Sequence, residues 1–173
     1  MVNVLVLAAG IAALTSALDR GDLDEVARKG ALAGPVVVEK ALGGTTRSQV
    51  LAGIVSAPGV EDRAELLPAL ARIAAGPDRR TAIPAARAAA AIARELAHHD
   101  LPDDLAPDDL ATWRAQWSTL ALSSDHFVEV RVHSLDVASA LARVIDPREL
   151  GFDRALLTDP DPDVRAVATA LAP

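Results

Sequence analysis

The sequence predicts an all-α protein, a right-handed α-solenoid in which about ten short helices stack as antiparallel pairs around one continuous core. Three observations predict it. Hydrophobic residues make up 51% of the chain but aromatic residues only 2%, with no Tyr, so the apolar share is mostly Ala with Leu, Val and Ile. Alanine has the best helix propensity and lets helix axes approach, whereas a sheet draws on β-branched and aromatic residues. Apolar residues recur at three- and four-residue steps, the stripe of a helix that buries one face. Gly and Pro close these stripes at short intervals, which leaves helices too short to stand alone.

At 173 residues the chain is read as a single domain spanning 1–173, long enough to bury a continuous core. Residues 1–17, MVNVLVLAAGIAALTSA, carry no charged side chain. Two readings stand for them. One is a buried first helix, which goes with a cytoplasmic location; the other is the remnant of a secretory signal ending near Ala17, which goes with export. No Lys or Arg precedes the run, and it is too short to span a bilayer, so no membrane partner is expected for the folded domain.

From Asp22 to Gly59 three short helices are expected, closed by Gly34-Pro35, Gly43-Gly44 and Pro58-Gly59. The stretch Gly43 to Ser48 lacks the Lys and the spacing of a phosphate loop and reads as a turn between helices. The next pair is AELLPALARIAAG and TAIPAARAAAAIARELA around a turn at Gly76, Pro77 and Asp78. Thr81 fits the N-cap of the second helix, which places Pro84 in its first turn; Pro68 falls inside the first helix and should kink it. His98 to Asp109, with two prolines and five aspartates, is the expected exposed loop.

Both tryptophans lie on the helix DLATWRAQWSTLALSS. The longest helical pattern follows, HFVEVRVHSLDVASALARVI, with Val128, Val132, Leu135, Ala138, Ala142 and Ile145 as its buried stripe. A short helix over PRELGFDRALL leads to the closing unit, LLTDPDPDVRAVATALAP, in which Pro160 and Pro162 force a turn and Asp163 can cap the last helix.

Arg47, Arg80, Arg131 and Arg165 each stand near a helix start, at spacings of 33, 51 and 34 residues. A period near 34 with one insertion is a solenoid signature, and the acidic loop lies in the long interval. The run Asp159-Pro-Asp-Pro-Asp163-Val164-Arg165 with the Ala-rich stripe to Leu171 resembles the second-helix motif of HEAT-like repeats, the type named after phycobilisome lyases. Glu129-Val130-Arg131 with Leu135 and Leu141 is similar, and so is the Pro68 helix with its Asp78 turn and Ala-rich partner. The resemblance implies stacked helix pairs and a ladder of turn acid and helix Arg between layers, with Asp163 and Arg165 in structural roles.

Chemistry is thinly marked. With no cysteine there is no thiolate ligand or thiol nucleophile. Asp159, Asp161 and Asp163 alternate as in a calcium loop, but Val164 stands where Gly and Ala170 where Glu would be needed. HEAT-like di-iron hydroxylases use His-Glu dipeptides, and this chain has none; base-excision relatives use a basic face, against a net charge of −7. A bilin lyase is not distinguished by any motif. No nucleic-acid partner, metal or cofactor is therefore expected, and no catalytic site.

The remaining expectation is a protein partner. His126, Glu129, His133, Asp136 and Arg143 fall on one helix face opposite the buried stripe, and Arg87 and Arg94 on the outer face of the helix after Asp78. His126 and His133 stand two turns apart, too far to share a metal. Trp113 and Trp117, four apart, are core filler or an interface anchor. The function read from the sequence is a non-enzymatic binding or scaffold module; an envelope-associated protein of the same build, or a lyase-type enzyme, are the alternatives.

Overall fold

A computed structural model gives the fold and describes residues 64–98, 105–146 and 148–172, together with Ser16 and Glu25, both helical. The readings made for residues 1–17, for the helices between Asp22 and Gly59 and for the Gly43–Ser48 turn otherwise lie outside the described residues. Among the described residues the protein is all-α. Five α-helices are present, α1 (Leu67–Ala74), α2 (Arg79–Leu96), α3 (Pro107–Leu122), α4 (Val128–Ile145) and α5 (Pro162–Leu171), with a 3-10 turn over Arg154–Thr158 and no strand.

Pro68 marks a start. Ala64 is helical, Glu65 and Leu66 form a turn, and α1 begins at Leu67 with Pro68 in its first turn. The proline lacks the N–H that would reach the Ala64 carbonyl, so the helical ladder breaks one turn ahead of it. In α2 the cap is Asp78, whose carboxylate accepts from the Arg80 N–H at 3.0 Å. Thr81 lies inside the helix, its hydroxyl on the Asp78 carbonyl at 3.1 Å. Pro84 consequently sits in the second turn, buried, and costs α2 the bond to the Arg80 carbonyl.

The loop expected to run to Asp109 ends sooner. Pro107 opens α3, and Asp108 and Asp109 stand in its first turn, where carboxylates complement the helix dipole. The helix expected over residues 147–157 is replaced by an irregular segment and the 3-10 turn, which Asp153 caps through the Ala155 N–H at 2.8 Å. Gly151 shows why. A Cβ there would lie 2.2 Å from the Ala138 carbonyl oxygen and 2.7 Å from the Ser139 Cα, so the segment runs directly against the α4 backbone.

Around α4 the rest is arranged. It packs on α2, α3 and α5, while α1 packs on α2 and α3. The Arg79–Glu129 ion pair joins the first turns of α2 and α4, so these two helices lie side by side and parallel. With neighbours on three sides, α4 buries far more than one stripe: Val130, Arg131, Ser134, Leu135, Val137, Ala138 and Leu141 are all enclosed. Of the stripe expected from the sequence, Leu135, Ala138 and Ala142 are buried and Val128, Val132 and Ile145 half-buried. Ala-rich α2 fits closely between α1 and α4, burying Ala82, Ala86, Ala89 and Ala93 with Ile92 and Leu96. A second cluster, Ala121, Leu135, Phe152, Leu156, Val164 and Ala168, fastens α5 and the 3-10 turn to α3 and α4.

One buried ion pair ties three of these elements together. Arg131, 4% exposed, donates Nε to the Ala121 carbonyl at the end of α3 at 2.9 Å. Its Nη1 and Nη2 meet both oxygens of Asp159, which is 7% exposed in the turn before α5, the former at 3.2 Å. The Arg131 hydrogen bonds hold the Asp159 carboxyl below its usual range against the opposing effect of burial, helped by the Asp161 N–H at 2.9 Å and the charge of Arg165. Arg165 donates to the Asp159 carbonyl. The acid that ties α4 to the turn before α5 is thus Asp159, and its arginine is Arg131. Asp161, not Asp163, caps α5, accepting from the Asp163 and Val164 N–H groups at 2.9 and 3.2 Å.

Candidate functional site

Among the described residues, two surface features could engage another molecule. The first is an open groove of about 460 Å³ between α1 and α3, lined by Pro68, Ala71, Arg72, Ala75, Gln116, Thr119 and Leu120. Its one charged side chain is Arg72, and no carboxylate, imidazole or hydroxyl pair converges there to do proton or nucleophile chemistry.

The second is the outward side of the parallel pair α2 and α4. On α2 ten of the eighteen positions are buried; Arg79 is exposed beside Arg80 and Arg94, and Thr81, Ile83, Arg87, Ala91 and Glu95 are half-buried, Ile83 and Ala91 being packed against the main core. Arg94 Nε donates to the Ala90 carbonyl at 3.2 Å. On α4 the outward arc holds Glu129, His133, Asp136 and Arg143. Arg143 is exposed in the last turn, where a cation suits the helix dipole. Glu129 is paired with Arg79, whose guanidinium also lies 5.9 Å from the centre of the Phe127 ring.

His133 is half-buried and stands 3.9 Å from Asp136, Nδ1 to Oδ2, too long for a hydrogen bond. That Nδ1 is buried without a hydrogen-bond partner among the described residues, as are Trp117 Nε1 and Ser134 Oγ. His126 precedes α4 and does not share its face. Among the described residues no group of three or more His, Asp or Glu side chains is placed to hold a metal ion.

The tryptophans separate. Trp117 is 0% exposed at the centre of the main core, and Trp113 is half-buried at its margin. Only Trp113 has ring surface to offer a partner. The structure thus leaves Arg87 and Arg94 on one face of α2 and Glu129, His133, Asp136 and Arg143 on one face of α4, two helices that pack together, and encloses Trp117 in the core. Arg80 and Ile83, which complete the α2 row, were missed by sequence reasoning that counted Arg80 as a helix-opening residue. Their seven- and four-residue steps from Arg87 were the available signal.

Compared with family models, with curated proteins and with solved structures, the chain matches none. No helix among the described residues is long and apolar enough to cross a membrane.

Proposed function

We propose that the chain is a HEAT-like α-solenoid that binds another protein through the outward side of α2 and α4, without catalysis. The observation that supports this reading is the packing of α2 on α4, each the second helix of a pair, with their first turns joined by the Arg79–Glu129 ion pair; on this reading their outward residues form one mixed-charge surface. Such a surface selects a partner by charge complementarity at little cost to folding, since its members sit outside the core. The interlayer pair Arg131–Asp159, with Arg165 beside it, is what a stack of this kind would use to fix one layer on the next.

The test is capture of a partner from native extract by the intact chain and by two charge-reversed forms, Arg87→Glu with Arg94→Glu, and Glu129→Arg with Asp136→Arg. Arg87→Glu with Arg94→Glu should keep its stability within about 1 kcal/mol, because surface changes away from caps and cores rarely cost more; Glu129→Arg also sets a cation against Arg79 in the first turn of α4, so the folding of that form is checked by circular dichroism. Loss of a specific captured protein in either form supports the reading. A partner retained by both forms moves the binding surface elsewhere, to the groove between α1 and α3 or to Trp113.

A further inference from the structure

The α2 row has a pattern of its own that narrows the partner. Arg80, Ile83, Arg87, Ala91 and Arg94 follow one another at steps of three, four, four and three residues, so cation and small apolar side chain alternate along a single line. From Arg80 to Arg94 the line is about 21 Å long, with a cation every 10 Å or about two turns. No carboxylate among the described residues pairs with Arg80, Arg87 or Arg94, whereas Arg79 beside them is taken by Glu129. The single acid of α2, Glu95, has an interaction of its own.

The row is also built against local preference. The first turn of α2 holds two arginines and no acid, at the end where the helix dipole disfavours cations. In a chain of net charge −7 this helix carries four arginines and one glutamate. Arg79 recovers the cost through Glu129 and Phe127; Arg80 has no such partner among the described residues.

We propose that this row docks an acidic amphipathic helix of a partner protein, with Asp or Glu at seven-residue steps facing the three arginines and small apolar residues over the exposed part of Ile83 and Ala91, whose inner sides pack against the core. Two helices lying along each other meet at this period, and the match of three charges over three turns or more sets register. The inference rests on the binding role proposed above and names the chemistry of its partner.

The test uses the full chain and a fluorescent helical peptide of about 21 residues with Glu at every seventh position and Ala or Leu between. Anisotropy should show saturable binding that weakens at about 0.5 M salt, none for the same peptide with Lys in place of Glu, and at least a tenfold loss for Arg80→Glu, Arg87→Glu and Arg94→Glu combined. The combined Arg→Ala form, with its circular dichroism spectrum compared with that of the unchanged chain, gives the same answer if the Glu form misfolds. Absence of binding, equal binding by the altered chain, or tighter binding of a single-stranded oligonucleotide to the same row each overturns the acidic-helix proposal. If the peptide fails while Glu129→Arg with Asp136→Arg still abolishes capture of the native partner, the broader binding role stands and this inference alone falls.

Discussion

Replacing Asp159 with Asn leaves the Arg131 guanidinium in a place built for a carboxylate. The amide oxygen can still accept from the Asp161 N–H, but the amide nitrogen then faces Arg131 Nη2, donor against donor. Arg131 keeps the Ala121 carbonyl and, through Nη1, a neutral amide oxygen in place of the carboxylate, while Nη2 loses its acceptor; at 4% exposure it cannot turn to water. Breaking one side of a buried ion pair costs about 3–5 kcal/mol, a large part of the roughly 5–15 kcal/mol that holds a domain folded. With a urea m-value of about 2 kcal/mol/M, the midpoint should fall by about 1.5–2.5 M at pH 7, read by helix circular dichroism. Arg131→Met with Asp159→Leu removes both charges and should recover part of that loss. The pH dependence has a fixed sign. Because the folded Asp159 pKa is lowered, its contribution is present in full above the unfolded value of about 3.9 and is lost as pH falls below it through the folded value. The Asn variant should lack that acid-side loss. A midpoint within about 0.3 M of the unchanged chain at pH 7 would show that the pair does not clamp α4 to the turn before α5.

Other features give smaller and separable effects. Gly151→Ala forces a methyl group onto the Ala138 carbonyl, so either α4 or the segment before the 3-10 turn must move; the expected cost is about 1–3 kcal/mol or more in the same urea titration. Asp161→Ala removes a cap that holds two N–H groups and should cost about 1 kcal/mol, while Asp163→Ala touches only the dipole of α5 and should cost under about 1 kcal/mol, an order the sequence alone would have reversed.

How much of this was legible in the sequence follows from what each signal measures. The five α-helices of the described residues were plain because Pro, Gly and Asp punctuate Ala-rich stripes, and the stripes need no partner to be seen. Caps were missed where candidates crowd: Asp78 precedes two arginines and Thr81, and Asp161 stands between Asp159 and Asp163. Which oxygen takes the first free N–H depends on where the chain enters the helix, and one-residue differences decide it. The single-stripe rule failed for α4 because it assumes one neighbour and α4 has three. The 3-10 turn was read as a helix because apolar spacing says nothing of backbone approach, and Gly151 marks that approach only once α4 lies beneath it. Trp117 and Trp113 look alike in sequence and differ by the α3 surface that faces the core.

The arginine series that suggested a period of about 34 shows the same limit and can be tested directly. Arg131 and Arg165 each lie four positions after their N-cap residues, Phe127 and Asp161, and both donate inward to a backbone carbonyl. Arg80 lies only two positions after its cap, Asp78, and points to solvent; the residue of α2 in the Arg131 position is Ala82, buried in the core. Arg47 lies outside the described residues. The spacing of 33 between Arg47 and Arg80 thus has no matching register at Arg80, although the spacing of 34 between Arg131 and Arg165 does. Stability should follow register and ignore the period. Arg131→Ala should cost about 3–5 kcal/mol, leaving the Asp159 carboxylate buried and unpaired. Arg165→Ala should cost about 0.5–1.5 kcal/mol for one charge-assisted bond at a mostly exposed site. Arg80→Ala should fall within about 0.5 kcal/mol of the unchanged chain, since no partner is lost and a cation leaves the positive end of α2. If Arg80→Ala proved as costly as Arg131→Ala, Arg80 would be an interlayer residue after all. The row proposed to meet an acidic helix would then lose its first member to the fold.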